Sequence, residues 1–273
     1  MKIIVITGAS DGIGAEMARQ LAASGASNVG LVLAARNVDA LNAVDAQCQA
    51  AGAQTLVVKT DVGVRADCQN LVAQTLQKFG HLDALINNAG ISAQALFEDV
   101  KADDLSWYED LMRINLWGSV WCTHAALPHI KAAKGSIVAV SSLAGLIGVP
   151  GRTAYSASKF AMTGFFEALR AELKTAGVSV TTAYPGVVST NIRYRGLNAA
   201  GVAAGSSGLK EDKAMSVEEC ASLIIAGMHA RQREVVMTGK AKLGRFLKLL
   251  SPGTVEKMAL AALKDDVKPK GAR

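Results

Sequence analysis

The sequence predicts an α/β fold: a single doubly wound domain, with a parallel sheet of about seven strands and helices on both faces. Three observations carry that expectation. Short β-branched runs alternate with longer helical patterns along the chain, as a parallel sheet with crossover helices requires. Several of these runs are apolar nearly throughout, as strands buried on both sides must be. Small residues abound, with 26 glycines against 5% aromatics, which suits close contact of helices with a sheet.

The runs fall at 3–6, 30–35, 55–59, 84–87, 136–141, 179–183 and 234–237. Between the first two, Met17, Ala18, Leu21 and Ala22 recur at helical spacing. The loosest stretch, 196–208, is rich in Gly, Ala and Ser, and it precedes a helix whose start is marked by the capping box Ser216-x-x-Glu219. Ligands of open α/β sheets bind beyond the carboxyl ends of the strands, so this segment is placed to act as a lid; an idle flexible loop reads the same way. No repeat or linker divides the chain. Residues 1–240 read as one domain and residues 241–273 as a helical extension. In that extension Leu243, Phe246, Leu247 and Leu250 form an apolar stripe, with Lys240, Lys242, Arg245 and Lys248 largely off it. Val255, Met258, Ala259 and Ala262 form a second stripe. Two readings stay open: a helix packed over the core or a cleft, or a peripheral contact with a membrane surface.

Half of the 273 residues are hydrophobic and 19% are charged, which excludes a disordered chain. The net charge of +6 suits a phosphorylated ligand or an anionic surface. No long basic run lies outside the C-terminal quarter, so nucleic acid is not an expected partner. Cys48, Cys68, Cys122 and Cys220 are widely spaced with no CxxC pair, so no metal site is expected and reduced core thiols are. The apolar run at the N-terminus stops at Thr7-Gly8, far short of a secretory segment. No run reaches the ~18 apolar residues of a membrane span. The expected location is the cytoplasm.

The first strand runs into Thr7-Gly8-Ala9-Ser10-Asp11-Gly12-Ile13-Gly14 and then a helix. Glycines at 8, 12 and 14 allow a tight turn and close backbone approach, and they set a helix N-terminus where a pyrophosphate can sit. After the second strand stands Ala34-Ala35-Arg36. A carboxylate there would bind a ribose 2′-hydroxyl, whereas Arg36 can pair with a 2′-phosphate. That favours NADP(H) over NAD(H), although a solvated loop charge would look the same and Asp11 weighs slightly against it. Asp61, after the third strand, can accept a bond from an adenine amino group or simply cap a turn.

Tyr155 and Lys159, in Tyr155-Ser156-Ala157-Ser158-Lys159, lie at i and i+4 on one helix face. A nearby cation favours the phenolate and lowers a phenol pKa from ~10. Tyr155 could then give a proton to a carbonyl oxygen or take one from an alcohol. Ser142, ending a strand, could hydrogen-bond the same oxygen.

Taken together, these motifs resemble the short-chain dehydrogenase/reductase family of Rossmann-type enzymes. The resemblance rests on the glycine loop, Asn87-Asn88-Ala89-Gly90, Asn115, Ser142, Tyr155-x3-Lys159 and Pro185-Gly186-Val187-Val188-Ser189-Thr190, and it covers roughly residues 3–240. It implies hydride transfer between a nicotinamide cofactor and a carbonyl or alcohol, without a metal. It implies Asn115, Ser142, Tyr155 and Lys159 as the catalytic residues, with Asn115 holding a water in a relay with Lys159. It also implies that Lys159 binds the nicotinamide ribose, that Asn88 and Gly90 line the adenosine side, and that Val188 and Thr190 hold the carboxamide. Gly8, Ser10, Asp11, Gly12, Ile13, Gly14, Arg36, Asp61, Val62, Ala89, Tyr155, Pro185 and Gly186 complete the expected cofactor set.

The C-terminal extension, Glu218-Glu219-Cys220-Ala221 and Arg231-x-Arg233-Glu234-Val235 are similar to the hydroxysteroid-dehydrogenase-like branch, which implies a bulky hydrophobic carbonyl or alcohol substrate. A 3-oxoacyl-thioester reductase, an NAD-dependent alcohol dehydrogenase and a non-catalytic NADP(H)-sensing interaction protein are the alternatives. Residues 105–126, with Trp107, Trp117 and Trp121, and residues 154–173, with Phe160, Phe165 and Leu169, are apolar on more than one face. Family members often pair through these helices, so a homodimer or homotetramer is expected, with burial inside one subunit as the alternative.

Overall fold

The computed structural model describes residues 1–209 and 214–263. All seven expected strands are present: β1 Lys2–Thr7, β2 Val29–Ala35, β3 Gln54–Lys59, β4 Ala84–Asn87, β5 Ser136–Val140, β6 Ser179–Tyr184 and β7 Glu234–Val236. They form one sheet in the order β3-β2-β1-β4-β5-β6-β7, and every pairing is parallel. The crossovers are α1 Gly12–Gly25, α2 Val38–Ala50, α3 Arg65–Phe79, α5 Gly118–Ala132, α6 Thr153–Glu172 and α7 Val217–His229. The short α4, Ser106–Met112, runs directly into α5 through a π-helical turn at Arg113–Trp117.

The nearly unbroken apolar strands follow from burial on two faces. Successive side chains point to opposite sides of a strand. In β1, Ile4 and Ile6 therefore join one core with Met17 and Leu21 of α1, Leu41 of α2 and Ile224 of α7. Ile3 and Val5 join the other core with Leu71 of α3, Cys122 of α5 and Phe166 of α6. All four cysteines are buried free thiols. Burial pushes Cys48 up to about 11 and Cys220 up to about 12.

Strand order reverses between β1 and β4, which opens the crevice where an α/β sheet receives its ligand. Thr7 pins the two strand ends together. Its Oγ1 donates to the Ile86 carbonyl at 3.3 Å and accepts from the Asn88 and Ala89 amides at 3.0 and 3.1 Å.

The C-terminal extension differs from the stripe read in the sequence. Its first helix, α8 at Gly239–Leu250, opens just before residue 241, and α9 spans Pro252–Ala261; residues 264–273 lie outside the described residues. The face of α8 turned inward is the small one, with Ala241 buried and Gly244 close to Ile147. Leu243, Phe246 and Leu250 of the expected stripe face out, joined by Leu249 at 81% exposure. A helix that approaches through glycine and alanine sits close to its neighbours, so its large side chains have no room beneath it. In α9, Val255 is buried and Met258 is exposed.

Candidate active site

The glycine loop leaves β1 and enters α1 with positive φ at Gly8 (68°) and Gly12 (55°). A Cβ on Gly8 would meet the Ala89 Cα at 2.8 Å, and one on Gly14 would run into the Gly8 carbonyl oxygen. Gly14 therefore serves loop packing, and it is Gly8, Ser10, Asp11, Gly12 and Ile13 that line the cleft. Asn88 locks the loop from the β4 side, its Nδ2 donating to the Thr7 and Gly8 carbonyls at 3.0 and 3.2 Å.

This cleft of about 540 Å³ also takes in Arg36, Asp61, Val62, Ala89, Gly90 and Thr190. Tyr155, Lys159, Pro185, Gly186 and Val188 of the expected set do not line it; Val188 is buried and pairs with Met215 instead. Arg36 projects with its side chain 66% exposed, 3.9 Å from Asp61, and Asp61 Oδ1 accepts from the Gly63 amide at 2.9 Å. Asp11 receives the Gly12 amide at 2.7 Å and forms an ion pair with Arg195, which also lines the cleft. The sequence reading missed Arg195 because 184 positions separate it from Asp11. A cleft walled by glycine backbone, ending at a helix N-terminus and carrying Arg36 and Arg195, fits a dinucleotide phosphate ligand.

Behind Gly90, which lines the cleft, the four expected catalytic residues gather around α6. Asn115 sits inside the π-helical turn and is wholly buried. Its Oδ1 accepts from the Ile91 amide at 2.8 Å, and its Nδ2 donates to the Ile91 carbonyl at 3.0 Å and to Ser158 Oγ at 2.9 Å. Ser158, in turn, donates to the Tyr155 carbonyl at 2.8 Å. Inserted π-turns often occur at functional sites; this one presents Asn115 to the strand-β4 loop. A Cβ on Gly90 would lie 3.0 Å from Asn115 Oδ1 and 3.7 Å from Lys159 Nζ, so glycine is what lets these two groups share a space.

Lys159 is 4% exposed. Its Nζ donates to the Val140 carbonyl at 2.9 Å and lies 5.9 Å from the centroid of the Tyr155 ring. Burial draws the Lys159 pKa downward, and Tyr155 opposes that shift. Ser142 begins a short 3₁₀ turn, and its Oγ accepts from the Ala144 amide at 3.2 Å, so its own proton is what it can offer to another oxygen. Ala144 and Tyr155 belong to one apolar cluster with Trp107 and Leu111, which brings the Ser142 turn against the tyrosine. Such a set can donate a proton to an oxygen, or remove one, in a nearly dry environment.

The segment after β6 is tied in at several points. Leu197 exchanges backbone bonds with Ser92 and Gln94 at 2.9 and 2.8 Å, and Trp107 Nε1 donates to the Ala199 carbonyl at 3.3 Å. Trp107 is therefore buried within the subunit. Trp117 is 48% exposed, stacked on Trp121 at 6.1 Å. Residues 210–213, just past the expected lid, lie outside the described residues.

The short chain dehydrogenase family model matches residues 2–228. The chain belongs to the short-chain dehydrogenase/reductase family of oxidoreductases. It is 44% identical over 188 residues to an 11-beta-hydroxysteroid dehydrogenase-like protein, 4A, of Arabidopsis thaliana, a match covering 68% of this chain and 61% of that one. The chain thus spans about three fifths of the length of this plant relative. It is also 33% identical to dehydrogenase/reductase SDR family member 7B of Mus musculus, over 99% of this chain and 84% of that one. Among solved structures, a short-chain dehydrogenase/reductase from Burkholderia phymatum in complex with NAD matches with a TM-score of 0.78 and 25% identity, covering 93% of this chain and 94% of that one. An alcohol dehydrogenase from Thermococcus sibiricus complexed with 5-hydroxy-NADP shares the fold, with a TM-score of 0.73 and 24% identity over 86% of this chain and 94% of that one.

Proposed function

We propose that this chain is an NADP(H)-dependent oxidoreductase acting on a carbonyl or secondary alcohol of a hydrophobic substrate, with Tyr155 as its acid and base. The observation that carries the reading is the buried Tyr155–Lys159 pair on one helix face, next to Asn115 and beside Gly90 of the glycine-walled cleft. The nicotinamide supplies or accepts the hydride when bound. In reduction, Tyr155 gives its proton to the carbonyl oxygen and Ser142 hydrogen-bonds that oxygen. The Lys159 cation stabilises the resulting phenolate. Asn115 holds the β4 loop in place and supports the proton path to Lys159. Arg36 selects the 2′-phosphate, with the remaining cofactor contacts as the family pattern implies. The hydroxysteroid-dehydrogenase names of its relatives support a bulky apolar substrate. The outward-facing Leu243, Phe246, Leu249 and Leu250 support collection of that substrate from a membrane surface. Among the described residues no helix is long and apolar enough to cross a membrane. Trp117 and Phe160, both exposed, support pairing of two copies through α5 and α6, and the free thiols suit a reducing compartment such as the cytoplasm.

The test is NADPH oxidation with a panel of apolar ketones. Wild type should turn over and Tyr155→Phe should not, while NADPH binding by fluorescence titration stays nearly unchanged. Equal turnover in Tyr155→Phe overturns the mechanism, and tight NADPH binding with no turnover across the panel points to a nucleotide-sensing role.

A further inference from the structure

We infer that Arg152 is a positioning residue for Tyr155: its buried guanidinium, held against the phenol ring, stabilises the phenolate and helps set the pH at which Tyr155 exchanges its proton. The inference rests on Tyr155 being the acid and base proposed above, and it names a second cation acting on that group.

Arg152 precedes the first turn of α6 and is only 8% exposed. Two hydrogen bonds fix its head. Nε donates to the Ala93 carbonyl at 3.3 Å, and a terminal nitrogen donates to Ser92 Oγ. Both acceptors are neutral. Among the described residues, no carboxylate forms an ion pair with Arg152. A buried cation in that position is costly unless some other negative charge faces it.

The group that does face it is the ring of Tyr155. Arg152 Cζ lies 4.5 Å from the ring centroid, nearer than Lys159 Nζ at 5.9 Å. The face of a phenol attracts a cation through its quadrupole, and that attraction grows once the proton leaves and a full negative charge spreads into the ring. The charged and titratable groups around this ring are few. Lys159 lies one turn on, with its ammonium directed to the Val140 carbonyl. Tyr108, from α4, has its hydroxyl bound to Thr153 Oγ1. Arg193, from the segment after β6, acts on Arg152 by repulsion. Burial lowers the Arg152 pKa, Tyr155 opposes that shift, and Arg193 adds to the lowering. The phenolate is therefore the favourable charge partner of this arginine, and the stabilisation is mutual.

The experiment compares wild type with Arg152→Gln, which keeps hydrogen-bonding capacity without charge, and Arg152→Lys, which keeps charge without the guanidinium fork. Tyrosinate absorbance is titrated in each, and Tyr155→Phe identifies the contribution of Tyr155 among the four tyrosines. The pH profile of alcohol oxidation is recorded in parallel. Losing the cation disfavours the phenolate, so Arg152→Gln should move the Tyr155 midpoint and the rising limb of the profile upward by about one pH unit. Arg152→Lys should stay close to wild type in midpoint, even where its rate falls. An unchanged midpoint in Arg152→Gln, or an equal shift in both variants, overturns the inference. The absorbance titration reads the ring without turnover, so it still decides on Arg152 if Tyr155→Phe proves active and the catalytic reading fails. Should Arg152→Gln not fold, Arg152→Met takes its place as the variant without charge: a midpoint raised by about one unit supports the inference, and an unchanged one overturns it.

Discussion

The two ends of the cleft are built from different materials. At the nucleotide end the contacts come from glycine backbone and from exposed charges, Arg36, Asp61, Asp11 and Arg195. At the proposed reaction end Asn115, Tyr155, Lys159 and Arg152 are all buried: Asn115 is bonded to Ile91 and, through Ser158, to the Tyr155 carbonyl, Arg152 to Ser92, and Lys159 to the Val140 carbonyl. Exposed charges are screened and replaceable, whereas a buried polar group left without its partner costs the full desolvation of that group. Single side chains should therefore matter more at the reaction end than at the nucleotide end.

Three substitutions and one labelling experiment test that contrast, taken from the largest effect to the smallest. Lys159→Met should lower kcat/KM by ~10²–10⁴-fold through loss of the cation that supports Tyr155. It should also flatten the pH dependence of stability. Because burial holds the Lys159 pKa below its ordinary 10.5, the unfolded chain binds more protons than the folded one between the lowered value and 10.5. Wild type should thus gain stability as pH rises through that window, and Lys159→Met should lose that share of the gain in urea unfolding as the pH approaches 10.5.

Asn115→Ala should come next, at ~1–3 kcal/mol of stability, by leaving the Ile91 amide and carbonyl without their partner. A melting temperature within a degree of wild type would show that the π-turn holds without its side chain. Arg36→Ala should weaken NADPH binding by roughly tenfold, in line with a charge-assisted bond of ~1.5–3 kcal/mol at an exposed position, and should leave NADH nearly untouched. Indifference of both cofactors would reverse the assignment toward NAD(H). The smallest effect concerns the thiols. With Cys48 at about 11 and Cys220 at about 12, a thiol reagent at pH 8 should leave these two thiols of the native protein almost unlabelled and label them once it is unfolded.

How much of this was readable in the sequence follows from how local each signal is. The strands were, because burial on two faces demands contiguous apolar runs such as 3–6 and 30–35. The glycine loop and the Tyr155–Lys159 pair were, because their spacing is short and their chemistry narrow. The burial of Arg152 was not, since nothing near it in the chain says that Ser92 and Ala93 will close over it. The Asp11–Arg195 pair was equally hidden, because it depends on two loops meeting across the sheet. The C-terminal stripe was seen but its direction was not: periodicity finds an amphipathic helix, and only the tight approach at Gly244 shows that the small face turns inward.

The π-turn at Arg113–Trp117 gives the proposed reaction end a dependence on chain length as well as on residue type. Each residue advances an α-helix by about 100°. Deleting one residue of Arg113–Trp117 other than Asn115 would let α4 and α5 merge into a regular helix, and it would swing Asn115 away from Ile91 while leaving every proposed catalytic side chain in the chain. In this stretch the site is encoded by a count, and two sequences with the same residues at every proposed catalytic position would place Asn115 differently if they differed by one in that number.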